Sequence, residues 1–331
     1  MTTTPGVANS DLPDYDDLPV TAGAPRGSSW GLWGADDVFG CLNLLSPEGV
    51  AAGRDLVETG RVFNLDLELE LPSPPLFARS AFEHVVHDFG VGHDDELVGW
   101  NTQRSSQWDG FRHMKHPDWG FYNGVADEDH GIHHWARRGI AGRGVLADVA
   151  RWRASVDRPI DPGSADEITV EDLGQTLAAQ GTDVEVGDVL LVRTGWLAWY
   201  RGLDAAGRAA LAEGPTPPAC GLRRGRETAA GLWNLHIAAI AIDNPSLEVM
   251  PFGPWDPELT KTWKDDPEAA ADTMLHFSLL PLLGLPIGEL FDLDALADEC
   301  AARGRHAFFL TSSPLNLEAG VATPPNALAI T

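Results

Sequence analysis

A mixed α/β fold is what this 331-residue sequence predicts, on three observations. Short apolar segments with strand character recur along the chain, at residues 144–149, 188–194, 238–243 and 307–311. Helix-period segments opened by capping residues and closed by glycine lie between them. No internal repeat, low-complexity tract or convincing linker divides the chain, so one core with interleaved strands and helices is expected.

Each element has a local reason. Residues 1–29 carry Pro, Gly, Ser and Asp with little periodicity and read as an N-terminal arm or a wandering loop, part of which is free to pack on a partner subunit. The catalytic domain is expected over 30–331. Ser46 and Pro47 have the order of an N-cap and a first helical residue, which predicts a helix to about Glu58, stopped by Gly60. Residues 61–71 alternate, with Val62, Phe63, Leu65, Leu67, Leu69 and Leu71 separated by polar residues, and predict a half-wet strand. Residues 80–135 are rich in His, Trp, Asp and Gly without a clear period; so long a segment is expected to build a site, with His84, His87 and His93 near it. Thr169 and Asp172 form a capping-box pattern for a helix through Gln180. Residues 188–194 and 238–243 are apolar enough for strands buried on both faces. Helices are expected over 223–233 and 293–303, the second ended by Gly304, with an apolar stretch over 275–283 between them.

Composition narrows the function. Lys and Arg number 23 against 49 Asp and Glu, a net charge of −26. Such a chain repels nucleic-acid backbones and anionic lipid, so neither nucleic acid nor a membrane surface is an expected partner. Three separated cysteines, Cys41, Cys220 and Cys300, form no disulfide framework and fit a reducing compartment. No basic leader and no run long enough to span a bilayer is visible, so a cytoplasmic location is expected.

The densest set of reactive groups lies over residues 101–113. Gln103, Ser105, Gln107 and Asp109 fall on alternate positions and would share one side of an extended segment. Asp109 and His113 are close enough in sequence for a turn to join them. His276 heads the 275–283 apolar stretch, and Glu289 follows in similarly apolar surroundings, where a carboxylate needs a partner or a raised pKa. His130, His133 and His134 lack a third ligand in metal spacing, and Gly142-Arg143-Gly144 lacks the rest of a dinucleotide fingerprint.

These residues resemble the bacterial cyclase superfamily, which includes arylformamidases and isatin hydrolase. Its signature, His-x-Gly-Thr-His-x-Asp-x-x-x-His, aligns with Gln103-Arg104-Ser105-Ser106-Gln107-Trp108-Asp109-Gly110-Phe111-Arg112-His113. The likeness continues over 135–149, 187–196 and 241–245, then at His276 with Glu289, and at 313–315 and 324–329. The resemblance implies a swivelling β/β/α single domain with a mixed sheet, and a homo-oligomer, dimer or tetramer. It also implies a divalent-metal site, of which Asp109, His276 and Glu289 are retained, with His113 placed to move protons. The first two signature histidines are replaced by Gln103 and Gln107.

Because amide oxygens are weaker ligands than imidazoles, two readings follow. Asp109, His276 and Glu289 hold one Zn or Mn ion, or the site holds no metal, the reading preferred here. Asp109, His113, His276 and Glu289 then do acid–base work, while Gln103, Gln107, Ser106 and Trp108 bind substrate. The expected activity is hydrolysis of an amide, lactam or related carbonyl of a small molecule, with an aromatic one suited to the twelve tryptophans. A lyase or cyclase using the same groups, and a binding protein that has lost the chemistry, are the alternatives.

Overall fold

A computed structural model describes residues 12–214, 216–252, 263 and 265–331. Its strands in chain order are β1 (Val62–Asn64), β2 (Glu83–Asp88), β3 (His93–Val98), β4 (Gln107–Asp109), β5 (Ile140–Asp148), β6 (Glu167–Ile168) and β7 (Val189–Arg193). They continue as β8 (Gly221–Leu222), β9 (Ala239–Ile242), β10 (Ile287–Glu289), β11 (Ala307–Ser312), β12 (Ala322–Thr323) and β13 (Ala327–Ile330). Nine of them form one mixed sheet in the order β1-β13-β11-β5-β7-β9-β10-β4-β12. The centre, β5-β7-β9-β10, is parallel, and every pairing outside it is antiparallel.

The parallel centre follows from sequence. Val189–Val192 and Ala239–Ile242 have no wet face, and both runs are fully buried between layers. Gly288 is the close-approach point of β10: a Cβ there would meet Ala241 at 2.6 Å, Phe291 at 2.7 Å and Trp108 at 2.8 Å. The helices form where their caps predict. Ser46 accepts the Gly49 N–H at 3.0 Å, and the helix it opens runs Pro47–Arg54, ending a turn sooner than expected. Thr169 and Asp172 make the reciprocal capping box of Val170–Gln180, which closes at Gly181 in the left-handed region.

Three expectations change. The 61–71 strand shortens to β1, because Asp66 turns its carboxylate onto the Asn326 and Ala327 N–H groups at 2.9 and 2.8 Å; Leu65 and Leu67 stay buried off the ladder. Residues 12–29 are no free arm: Tyr15 and Leu18 are buried in the core of this same chain, and Trp233 donates to the Pro13 carbonyl at 2.8 Å. The rest of the expected arm, residues 1–11, lies outside the described residues. Finally, 83–98 is not site-building loop but a two-stranded hairpin, β2–β3, exposed along nearly its whole length.

Candidate active site

The register between β4 and β10 assembles the site. Gln107 stands opposite Glu289, and Asp109 opposite Ile287. Opposed residues of a ladder share a face, and residues two apart on a strand do too, so Gln107, Asp109 and Glu289 point the same way. Gln107 Nε2 donates to Glu289 Oε2 at 2.6 Å and lies 3.5 Å from Asp109 Oδ2. A turn after β4, closed by the His113 N–H on the Gly110 carbonyl at 2.9 Å, brings His113 back over the strand end. Gln103 Nε2 then reaches Asp109 Oδ1 at 2.9 Å and His113 Nδ1 at 3.0 Å. An amide nitrogen only donates, so His113 Nδ1 is the acceptor and its proton sits on Nε2.

His276 begins a short helical turn, His276–Ser278, below this layer. Its Nε2 is 3.3 Å from Glu289 Oε1 and 3.6 Å from Asp109 Oδ2, and its Nδ1 is 3.0 Å from both oxygens of Glu248. Asp109, Glu248, His276 and Glu289 are all buried. Glu289 Oε1 also accepts the Leu247 N–H at 3.0 Å.

Burial and mutual charge separate the protonation states. Burial alone would discharge His276, but the Glu248 charge and hydrogen bonds to Asp109, Glu248 and Glu289 hold its pKa well above the ordinary histidine value. Burial pushes His113 the other way, below that value, against the pull of Asp109. The two carboxyls diverge as well. Burial and then the Asp109 charge raise Glu289, whereas on Asp109 the neighbouring histidines outweigh burial and hold it below its usual value. Pairs pushed apart in this way divide into one group that stays ionised and one that exchanges a proton nearer neutrality.

The cluster opens into a cavity of about 240 Å³ whose walls include Arg79, His113, His276 and Glu289. Asp109 stands behind them, outside the lining. The structure thus brings together Gln103, Gln107, Asp109, His113, His276 and Glu289. It places Ser106 and Trp108 apart from this cluster. Ser106 Oγ bridges the Leu290 carbonyl and the Leu67 N–H, and Trp108 is fully buried with its Nε1 on Ser312 Oγ at 3.0 Å. Ser105 likewise turns away, onto the Glu68 carbonyl. The histidines at 84, 87 and 93 belong to the exposed hairpin, where His84 and His87 pair with Asp95 and Glu96. Sequence reasoning missed Glu248 and Arg79. For Glu248 the signal was a carboxylate in an apolar run, Leu247-Glu248-Val249-Met250, the same reasoning that singled out Glu289. For Arg79 no periodicity or motif marks the position.

A divalent cation can be weighed against the donors present. Asp109, His113 and His276 offer ligand atoms all within 4.8 Å of one another. His276 Nε2, Asp109 Oδ2 and Glu289 Oε1 converge as one imidazole and two carboxylates, a set that fits one ion. Both glutamines turn N–H donors toward the carboxylates, so neither presents a ligand atom to that ion as placed.

Residues 61–249 match the family model described as "Putative cyclase". A crystal structure of a novel cyclase is 30% identical, superposes with a TM-score of 0.77, and is matched over 92% of this chain and 99% of its own. Isatin hydrolase A from Labrenzia aggregata, bound to benzyl benzoate, is 16% identical with a TM-score of 0.54 over 85% of this chain and 96% of that one. Isatin hydrolase A from Ralstonia solanacearum is 16% identical with a TM-score of 0.55, over 85% and 95%. The last two share the fold. No curated protein sequence matches the chain.

Proposed function

The chain belongs to the cyclase family of enzymes, and from that premise we propose that it hydrolyses the C–N bond of an amide or lactam in a small molecule, an aromatic one among the candidates. The observation that carries this reading is the divergent carboxyl pair, Asp109 and Glu289, gathered around His276, with His276 and Glu289 lining one cavity and Asp109 behind them.

Glu289 is the carboxyl that lines the cavity, so it takes the proton of the attacking water. The same carboxyl then delivers that proton to the departing nitrogen, which balances the addition of one water as one acid and one amine. His113, neutral with its proton on Nε2, donates to the carbonyl oxygen as negative charge gathers there. Asp109 stays ionised and, with Glu248, holds His276 charged and fixed. A divalent ion bound by Asp109, His276 and Glu289 would polarise the carbonyl and acidify water; in our reading the residues act without requiring it.

The working form is a homo-oligomer, supported by the hairpin, whose tip leaves Phe89 61% and Val91 94% exposed. Among the described residues no helix is long and apolar enough to cross a membrane.

Turnover of a panel of aryl formamides and cyclic lactams, isatin included, in ¹⁸O-labelled water tests the reaction class. Hydrolysis places one ¹⁸O in the product carboxylate. Turnover of a panel member that proceeds with loss of water or ring closure, and without label, replaces the hydrolase by a lyase. Binding of panel members without turnover of any replaces it by a binding protein.

A further inference from the structure

The cavity wall holds a cation, Arg79, that feels the Asp109 and Glu289 charges without making a contact ion pair with either. Arg79 sits half-buried beside Gln103 and Gln107. One terminal nitrogen, Nη1, donates to the Gln103 carbonyl and lies 3.3 Å from Gln107 Oε1. Its guanidinium carbon lies 5.0 Å from the centre of the Phe77 ring, which fixes the plane of the fork. Among the described residues no carboxylate comes within salt-bridge distance of it, and its Nε and Nη2 have no acceptor. A half-buried guanidinium that is held only by the more distant Asp109 and Glu289 charges keeps N–H donors free for a ligand.

A second unpaired group lines the same cavity. Ser246, in the loop after β9, is buried with its Oγ bonded to nothing among the described residues. Buried hydroxyls normally find a partner. Apart from Thr216, the remaining walls are apolar, with Phe77, Met114, Pro245, Phe252 and Met274. At about 240 Å³ the space falls below the range of roughly 300–1,000 Å³ typical of drug-sized ligands, so it suits a compact molecule of about one ring.

We propose that the substrate of this site is an anionic one: a small, largely apolar acid whose carboxylate is gripped by the free edge of Arg79 and by Ser246 Oγ. The planar fork of Arg79 matches a carboxylate in two parallel N–H···O bonds, which a lysine cannot reproduce. The apolar walls take the hydrocarbon body, and the grip presents the scissile carbonyl to His113 and Glu289. This deepens the hydrolase reading by adding a substrate class, but binding alone tests it.

The test is calorimetric titration of the full-length protein with benzoate and with its neutral isostere benzamide, repeated on Arg79→Met, Arg79→Lys and Ser246→Ala. Benzoate is expected to bind the native protein at least about tenfold more tightly than benzamide, the gap set by two charge-assisted hydrogen bonds. R79M should erase that preference by weakening benzoate while leaving benzamide unchanged; R79K should restore part of it, and S246A should weaken benzoate by a smaller factor. Equal affinity for the two probes in the native protein overturns the proposal without recourse to any variant. So does benzoate that binds R79M undiminished, the result expected if a metal ion or the histidines hold the anion instead. Neither result bears on the ¹⁸O experiment, so the substrate class and the reaction class fail separately.

Discussion

Asp109 is the side chain on which the site converges, and its replacement separates function from fold. It accepts Gln103, lies near Gln107 and His276, and is fully buried beside a second carboxyl. Asp109→Asn keeps the shape and removes a charge from a crowded pair. We expect kcat to fall by roughly 10²–10⁴, the range for losing a group that supports acid–base chemistry, while the calorimetric Tm holds or rises, because functional sites trade stability for reactivity. A large loss of Tm with turnover retained would make Asp109 a structural residue. Asp188 gives a pH test away from the site. Burial pushes its carboxyl up to about 6, against the Glu185 N–H and the Arg143 guanidinium at 2.6 Å. The folded state therefore holds the Asp188 proton more tightly than the unfolded chain does. That contribution is complete below the unfolded value of 3.8 and is lost as pH rises through about 6. The Tm of the native protein minus that of Asp188→Asn should accordingly decline between about pH 4 and pH 6. A difference that stays flat or grows across that window refutes the assignment.

Among the elements, those legible in sequence are the ones whose local signal and tertiary role agree. The strand runs over 189–192 and 239–242 have no polar face, and the parallel sheet gives them none to wet. The Thr169 box and Gly181 bound their helix by short-range hydrogen bonds alone. The 61–71 alternation is equally regular, yet only three residues pair, because a side-chain carboxylate at Asp66 satisfies the neighbouring strand's donors. The hairpin β2–β3 was illegible for the opposite reason. Both its faces are wet, so no apolar period marks it, and His84–Asp95 and His87–Glu96 cross-strand pairs replace packing. An isolated two-stranded hairpin is marginal in water, and this one also carries exposed Phe89 and Val91 at its tip. A second copy seated on that tip accounts for both features. Light scattering at micromolar protein should therefore return a dimer or larger species, and Phe89→Glu with Val91→Glu should move it toward monomer. A native monomer under those conditions removes the hairpin from any interface.

For the whole molecule, the question is what ion a cluster of two amides, two carboxylates and two histidines can hold. The family resemblance singles out Asp109, His113, His276 and Glu289, and the fold gathers all four across three separate segments. What the sequence does not display is the direction of the two amide side chains. Gln103 and Gln107 turn their N–H groups onto Asp109 Oδ1 and Glu289 Oε2, so two carboxylate oxygens are already satisfied by neutral donors. Arg79 was invisible for a related reason: its place depends on a chain crossing between separate segments, which no spacing encodes. The arrangement offers the His276 nitrogen, two carboxylate oxygens and the neighbouring His113 imidazole for an ion, a set sized for one ion and not for a two-ion centre. Plasma mass spectrometry on protein purified without chelator or affinity metal should return no more than one equivalent of divalent metal per chain. Turnover should survive treatment with chelator to within about tenfold, since Glu289 and His113 carry the proton steps themselves. Two equivalents would mean that the glutamines rotate to ligate. Activity abolished by chelator and restored by one equivalent of Zn or Mn would make the ion the electrophile and leave His113 a supporting donor.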